Sequence, residues 1–171
     1  MLGKPLLDGR YTAELAEDGV VVFLIGMRFN QWWRIDKWWF VAAGMISMLR
    51  YLAGADDGLL KSHYWVGRTL LYVQYWRSLD ELMAFATDSR APHAKTWREF
   101  NRRVGDDGTV GIFHETYQIV PGNSEAMYVN MPAFGLGAAL EPVAVGKSRN
   151  RARQRMANQL PGRRPKPAKS A

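Results

Sequence analysis

The chain has 171 residues and a formal net charge of +7, long enough for one domain with a sizeable core. It contains no cysteine, which excludes disulfides, thiolate nucleophiles and cysteine-based zinc or iron–sulfur sites. The positive charge is local: nine Lys and Arg residues and no acid lie from Lys147 onward, leaving 14 basic and 16 acidic residues over 1–146.

The opening stretch MLGKPLLDGR lacks a long apolar run with a small-residue cleavage site, so no secretory signal is expected. GVVVFLIGMRF, residues 19–29, is β-branched and apolar and predicts a buried strand. Asn30 is placed to cap a helix from about 31 to 53. Trp32, Ile35, Trp39, Ala42, Ala43, Ile46 and Leu49 recur at steps of three and four and mark the face expected to pack on a sheet or line a cavity. Trp33 and Trp38 fall off that stripe and must meet a second subunit, a cavity mouth or a membrane surface. The nearby Arg34 and Lys37 fit a lipid interface. The longest apolar run, 38–49, is shorter than the ~20 residues a spanning helix needs.

Gly54, Asp56, Asp57 and Gly58 end the helix. LLKSHYWV and RTLLYVQYWR, around 59–66 and 69–77, predict a β-hairpin about Gly67. In SLDELMAFA, Ser78 and Glu81 have the spacing of a helix capping box. Pro92 opens a further helix, HAKTWREFNRRVG, closed by Gly105. TVGIFHETYQIV, 109–120, predicts a fourth strand and EAMYVNM a short fifth. The tail at 147–171 is poor in large apolar groups and is expected to be disordered, with helical character around 148–159. It fits a solubilising extension making at most weak contact with an anionic surface or nucleic acid. The body at 1–146 offers no nucleic-acid-binding feature.

Strand, helix, two strands, a helix pair and a strand make an α+β fold of ferredoxin-like βαββαβ order, a single domain over 1–146. Its antiparallel sheet carries helices on one face. The strands around 22–29 and 70–77 are apolar or aromatic on both sides, so both sheet faces should be buried. A second copy of the chain is expected to cover the face away from the helices, giving a homodimer around a barrel-like space.

Functional groups are densest at 92–117. His93, Trp97 and Asn101 are spaced i, i+4 and i+8 and share one helical stripe, which suits a pocket wall where a few polar groups orient an apolar ligand. The plainer alternative has His93 satisfied near the helix start and Trp97 simply packing. Alternation places His114 with Ile112 and Thr116 on one face of its strand, as a base, proton donor, metal ligand or structural group. His63 in the hairpin carries less weight. The chain has no P-loop, no G-x-G-x-x-G after a strand, no G-x-S-x-G and no H-E-x-x-H. Its three histidines show no zinc spacing, although one imidazole is enough to ligate haem.

The run GRTLLYVQYWRSLDELMAFATDSRAPHAKTWREFNRRVGDDGTVGIFHETYQI, followed by AMYVNMPAFGLGAA, resembles a family of bacterial and fungal monooxygenase-like proteins in the dimeric α+β-barrel superfamily. The earlier GMRFNQWWRIDKWW is similar too, so the likeness covers roughly residues 20 to 140, with QYWRS, W-x-x-FNRRVG and HETY as its most specific pieces. Relatives in that superfamily include cofactor-independent antibiotic-biosynthesis monooxygenases, haem-degrading monooxygenases, and haem-binding dehydratases and peroxidases. The resemblance implies the ferredoxin-like dimer and oxidoreductase chemistry, but it supplies no catalytic set, so the candidates come from the residues themselves. For catalysis they are His93, His114 and Asn101. For substrate contact they are Trp97, Arg68, Trp32, Trp39 and Tyr75. The expected activity is monooxygenation of a bulky apolar substrate without a cofactor or metal. The alternatives are a haem enzyme with His93 or His114 as axial ligand, and a non-catalytic binder of apolar ligands. The expected place is the cytoplasm, with peripheral membrane contact as a variant.

Overall fold

The structure, a computed structural model, describes residues 5–54, 57–89 and 92–160, leaving aside the side chains at 49, 53, 92 and 93. In chain order the elements are β1 (Leu7–Ala13), β2 (Val20–Phe29), α1 (Ile35–Gly54), β3 (Leu59–Trp65), β4 (Thr69–Trp76) and α2 (Leu79–Thr87). There follow α3 (Pro92–Arg103), β5 (Val110–Ile119), β6 (Tyr128–Met131), α4 (Leu136–Ala139), β7 (Pro142–Ala144) and α5 (Ala152–Asn158), with a 3-10 turn at Lys147–Arg149. By contacts the chain forms two compact units, one of residues 22–117 and one that joins residues up to 21 to those from 118 onward.

The unit of residues 22–117 holds a four-stranded sheet of order β3-β4-β2-β5, the ferredoxin-like split arrangement. The α+β class and strand order expected from the sequence are both present. Burial along β4 alternates strictly, with Leu70, Tyr72, Gln74 and Trp76 facing the helices and Leu71, Val73 and Tyr75 half-buried on the other face. On the helix side, Met27 and Phe29 of β2 pack with Leu70 and Tyr72 against Val41 and Met45 of α1 and against Phe100 and Val104.

Local chemistry sets the ends of these elements. Ser78 caps α2, its hydroxyl accepting from the Glu81 amide at 3.2 Å and donating to the Glu81 carboxylate at 3.1 Å. After α3 the Gly105 amide returns to the Phe100 carbonyl at 3.0 Å with φ at +53°, a left-handed closure that favours glycine. The Asp107 carboxylate then accepts from the Thr109 amide at 2.9 Å and hydroxyl at 2.6 Å, which turns the chain into β5. Lys37 of α1 reaches both places, pairing with Asp107 at 2.9 Å and donating to the Arg103 carbonyl at 2.6 Å. One ammonium thus ties the start of α1 to the end of α3 and to the approach of β5.

Helix α1 turns a different face inward from the one its spacing predicted. Val41, Met45, Met48 and Leu52 are buried, and Trp38 lies on the Phe29 ring with centroids 4.6 Å apart. Trp32, Ile35, Trp39 and Ile46 are exposed, Trp32 by 65% and Trp39 by 54%. The helix is apolar on two stripes, so a period of three to four is satisfied by either. Trp38 decides between them: its indole donates to the Trp32 carbonyl at 3.0 Å while its rings cover Phe29. Leu49, the last member of the predicted stripe, lies outside the described side chains.

The second unit is built on β1, which pairs antiparallel with β6 on one edge and β7 on the other. Residues 147–160 are ordered, contrary to the disorder expected for the whole tail, and the predicted helical stretch is present as α5. The charges that read as solvating are here structural. Arg149 pairs with Glu14, and the buried Arg155 pairs with Glu125 at 2.7 Å and donates to the carbonyls of Arg149 and Asn150. Residues 161–171 lie outside the described part. Among the described residues no helix is long and apolar enough to cross a membrane.

Helices α1 and α3 cross where Gly44 faces Thr96, and a Cβ on Gly44 would overlap the Thr96 side chain. Gly44→Val is therefore expected to destabilise the protein by about 1–3 kcal/mol, the usual cost of overpacking, and urea denaturation measures it. Equal or greater stability would contradict the close crossing. Hydrogen bonds from the Thr109 hydroxyl and amide, then the Lys37 ammonium, lower the Asp107 carboxyl from its ordinary 3.8 to about 2. A depressed carboxyl stabilises the fold above the ordinary value and loses that contribution as pH falls toward the depressed one. Asp107→Asn should therefore lower the thermal midpoint at pH 7, and the gap from wild type should close between pH 4 and 2. A gap that persists at pH 2 would contradict the assignment.

Candidate functional site

Between the helix-facing side of the four-stranded sheet and the helices lies a cavity of about 540 Å³, all of it within residues 22–117. Its walls are overwhelmingly apolar. Phe23, Ile25 and Met27 of β2 form the floor, and Met45 and Met48 of α1 with Phe85 of α2 stand over it. Three flexible thioethers let such a wall adapt to an irregular guest. The close crossing at Gly44 sets where α1 and α3 meet along the rim of this space, since both Gly44 and Thr96 line it.

Few polar groups enter. His114 lines the cavity from β5 and remains open to solvent, its ring 5.9 Å from that of Phe23. As predicted from strand alternation, Ile112 and His114 share the cavity side, while Phe113 lies on the other face over Gly26. Trp97 lines the cavity from α3, half exposed and stacked on Phe100 at 5.6 Å. Arg98 and Thr96 complete that side. The most deeply buried polar group on the wall is one the sequence reading passed over, Gln74 of β4, only 1% exposed. Its side-chain oxygen accepts from the indole of the fully buried Trp76 at 3.1 Å, and its amide nitrogen has no partner among the described residues.

The other candidates are not brought to this cavity. Asn101 is exposed, because the inward side of α3 runs through Trp97, Phe100 and Val104 at steps of three and four. Arg68 braces the backbone beyond β2, donating to the carbonyls of Phe29 and Asn30 at 3.4 Å each. Tyr75 lies on the far face of the sheet, its ring edge-on to His63 at 6.2 Å. Trp32 and Trp39 are exposed outside the cavity. The side chain of His93 lies outside the described residues. Among the described residues no cluster of histidine and carboxylate groups could hold a metal ion.

Residues 20–136, the stretch that carries every wall of this cavity, match the family described as Monooxygenase af470-like. The chain belongs to that family. Monooxygenase af470 of Aspergillus fumigatus is 30% identical over 147 residues, covering 78% of this chain and 50% of that protein. The chain thus spans about half the length of the curated relative it matches. Among solved structures, an aldoxime dehydratase in complex with butyraldoxime superposes with a TM-score of 0.61 at 16% identity, over 77% of this chain and 40% of that one. A second aldoxime dehydratase structure gives 0.55 at 16% identity, over 77% and 41%. At that identity the likeness is one of fold, and it agrees with the sheet order and helix placement described above.

Proposed function

We propose that this family member is a monooxygenase-type oxidoreductase that oxidises a bulky apolar molecule in the cavity, with His114 taking the substrate proton. The observation that supports this most is the cavity itself, mostly apolar, with an imidazole at its open side and a carboxamide at depth. That is the composition of a site that excludes water and orients a greasy ligand with few polar groups. An imidazole nitrogen can accept a substrate proton and suits general base work. Removing a proton from an activated CH₂ gives a carbanion that reacts directly with dioxygen. The hydroperoxide then loses water, so R₂CH₂ + O₂ gives R₂C=O + H₂O with no external reductant. Of the donors expected from sequence, only Trp97 lies on the wall; Asn101 and Arg68 do not serve this reading.

The test is dioxygen uptake with anthrone, an aromatic ketone bearing an acidic CH₂, in the presence of a chelator. Wild type should consume one O₂ per product. His114→Ala should lose at least about 100-fold in rate at unchanged thermal midpoint, the lower end of what a general base contributes, and Met45→Trp, which fills the cavity, should abolish turnover. Full activity in His114→Ala overturns the base assignment, and full activity in Met45→Trp overturns the cavity. Binding of anthrone without oxygen uptake would instead favour a pure binding module.

A haem-dependent reading has one observation in its favour: His114 and Arg98 line the same cavity, an imidazole for the iron and a guanidinium for a propionate. Bound haem would supply the one-electron and oxygen chemistry. Haemin titration separates the readings, since a Soret band that disappears in His114→Ala supports haem and its absence supports cofactor-free chemistry.

We also propose that the protein works at a lipid surface. The loop after β2 and the β3–β4 turn lie side by side, joined by the Phe29 amide and the Arg68 carbonyl at 2.9 Å. Trp32, Trp33 and Val66 project there, all strongly exposed. Arg28 and Arg68 flank them, bound to a hydroxyl and to backbone carbonyls. Exposed indoles with cations on the adjoining segments fit the headgroup layer of an anionic membrane. Vesicles of phosphatidylcholine and phosphatidylglycerol should co-sediment the protein, with a loss of about tenfold or more in Trp32→Ser/Trp33→Ser. Binding unchanged in that variant, or lost only on removing residues 161–171, overturns the proposal.

A further inference from the structure

Gln74 is the feature of this cavity that packing does not explain. It sits among Leu70, Tyr72 and Trp76 on the helix-facing side of β4, where an apolar residue would complete the pattern. An indole nitrogen can only donate, so the carboxamide oxygen is the atom that must face Trp76, and the orientation of the amide is chemically fixed. Its two N–H donors therefore point elsewhere, and no atom of the described chain receives them. Ser62, directly opposite on β3, likewise has a buried hydroxyl without a partner among the described residues. A buried donor left unpaired is costly and calls for an explanation when a folded protein keeps it.

We infer that the molecule this cavity takes up carries a hydrogen-bond-accepting oxygen, a ketone carbonyl or the enolate or phenolate formed from it, seated against the Gln74 amide. The inference rests on the cavity being the substrate site. The chemistry around Gln74 narrows the class further. Arg98, the cation on the wall, is exposed, so nothing beside Gln74 matches the full charge of a carboxylate or phosphate. A neutral carbonyl suits a neutral amide donor. As a proton leaves the ligand, charge delocalised onto that oxygen strengthens the same hydrogen bond, which is how a preorganised donor favours a developing anion. Gln74 and His114 sit on the strands β4 and β5 that flank β2, and those strands are two spacings or about 10 Å apart across the sheet. For the oxygen at one end to stabilise a carbanion formed toward the other, the two must be conjugated. The substrate class is therefore a conjugated apolar ketone or phenol that enters oxygen first.

The matched pair 1-tetralone and tetralin, which differ by replacement of the carbonyl with CH₂, tests this in the full-length protein. In wild type, the side-chain NH₂ resonances of Gln74 in ¹H–¹⁵N spectra should shift with 1-tetralone and stay in place with tetralin. This readout needs no variant. In Gln74→Leu, the affinity for 1-tetralone relative to tetralin should fall about tenfold or more, with tetralin bound at least as well as before. If both compounds bind wild type, the NH₂ resonances move with neither, and the preference is the same in Gln74→Leu, the inference is overturned while the cavity reading stands. If neither compound binds wild type, the cavity reading itself fails and takes the inference with it.

Discussion

The hydrogen bond from the Trp76 indole to the Gln74 carboxamide organises the chemistry of the cavity. Trp76 is fully buried against Phe85, so its N–H must find an acceptor inside the protein, and the side chain two residues back on the same strand face supplies it. That single demand fixes a polar group in an apolar layer and leaves its donor end unpaired beside a cavity. The rest of the unit holds the cavity open around it. Gly44 lets α1 approach α3, and Lys37 ties both to the turn that launches β5 and His114.

Much of this fold was legible in the chain. The strands and helices from 20 to 119 announce themselves through alternation, apolar periodicity and their start and stop signals, among them Ser78, Pro92 and Gly105. Strand β1 was not legible. LDGRYTA alternates, with Leu7, Tyr11 and Ala13 against Asp8, Arg10 and Thr12, but the run is short and broken by Gly9, and its partners lie far along the chain, Leu7 opposite Met131 and Thr12 opposite Val143. The order of residues 147–160 was hidden for a related reason. Composition counts Arg149 and Arg155 as solvating charges, and only their ion pairs with Glu14 and Glu125 show them as structural. In α1 the failure was one of degeneracy, since two apolar stripes compete and Trp38, not Trp32 or Trp39, carries the packed ring.

The site divides along similar lines. His114 and Trp97 could be placed because strand alternation and helix periodicity say which way they point. Asn101 failed because i+8 on α3 has already turned away from the face set by Phe100 and Val104. Tyr75 failed because strand parity puts it opposite Gln74, and Arg68 because its guanidinium serves backbone carbonyls. Gln74 was invisible for a deeper reason. A glutamine in a strand reads as the exposed face, and its burial and unpaired donor are properties of the folded chain alone.

The family places this chain among monooxygenase-like proteins, and the aldoxime dehydratase structures show how widely one such fold is used. What separates one chemistry from another on this scaffold is the small set of polar atoms aimed into an otherwise apolar space. Here those atoms include the Gln74 amide at depth and the His114 imidazole at the open side. The most direct measurement is a crystal structure of the protein with anthrone bound under anaerobic conditions. The ring system should lie between β2 and α1, with its carbonyl oxygen about 2.7–3.2 Å from the Gln74 nitrogen and its CH₂ turned toward His114. Anthrone bound elsewhere, or bound with its oxygen toward solvent and the Gln74 amide satisfied by the protein itself, would contradict it.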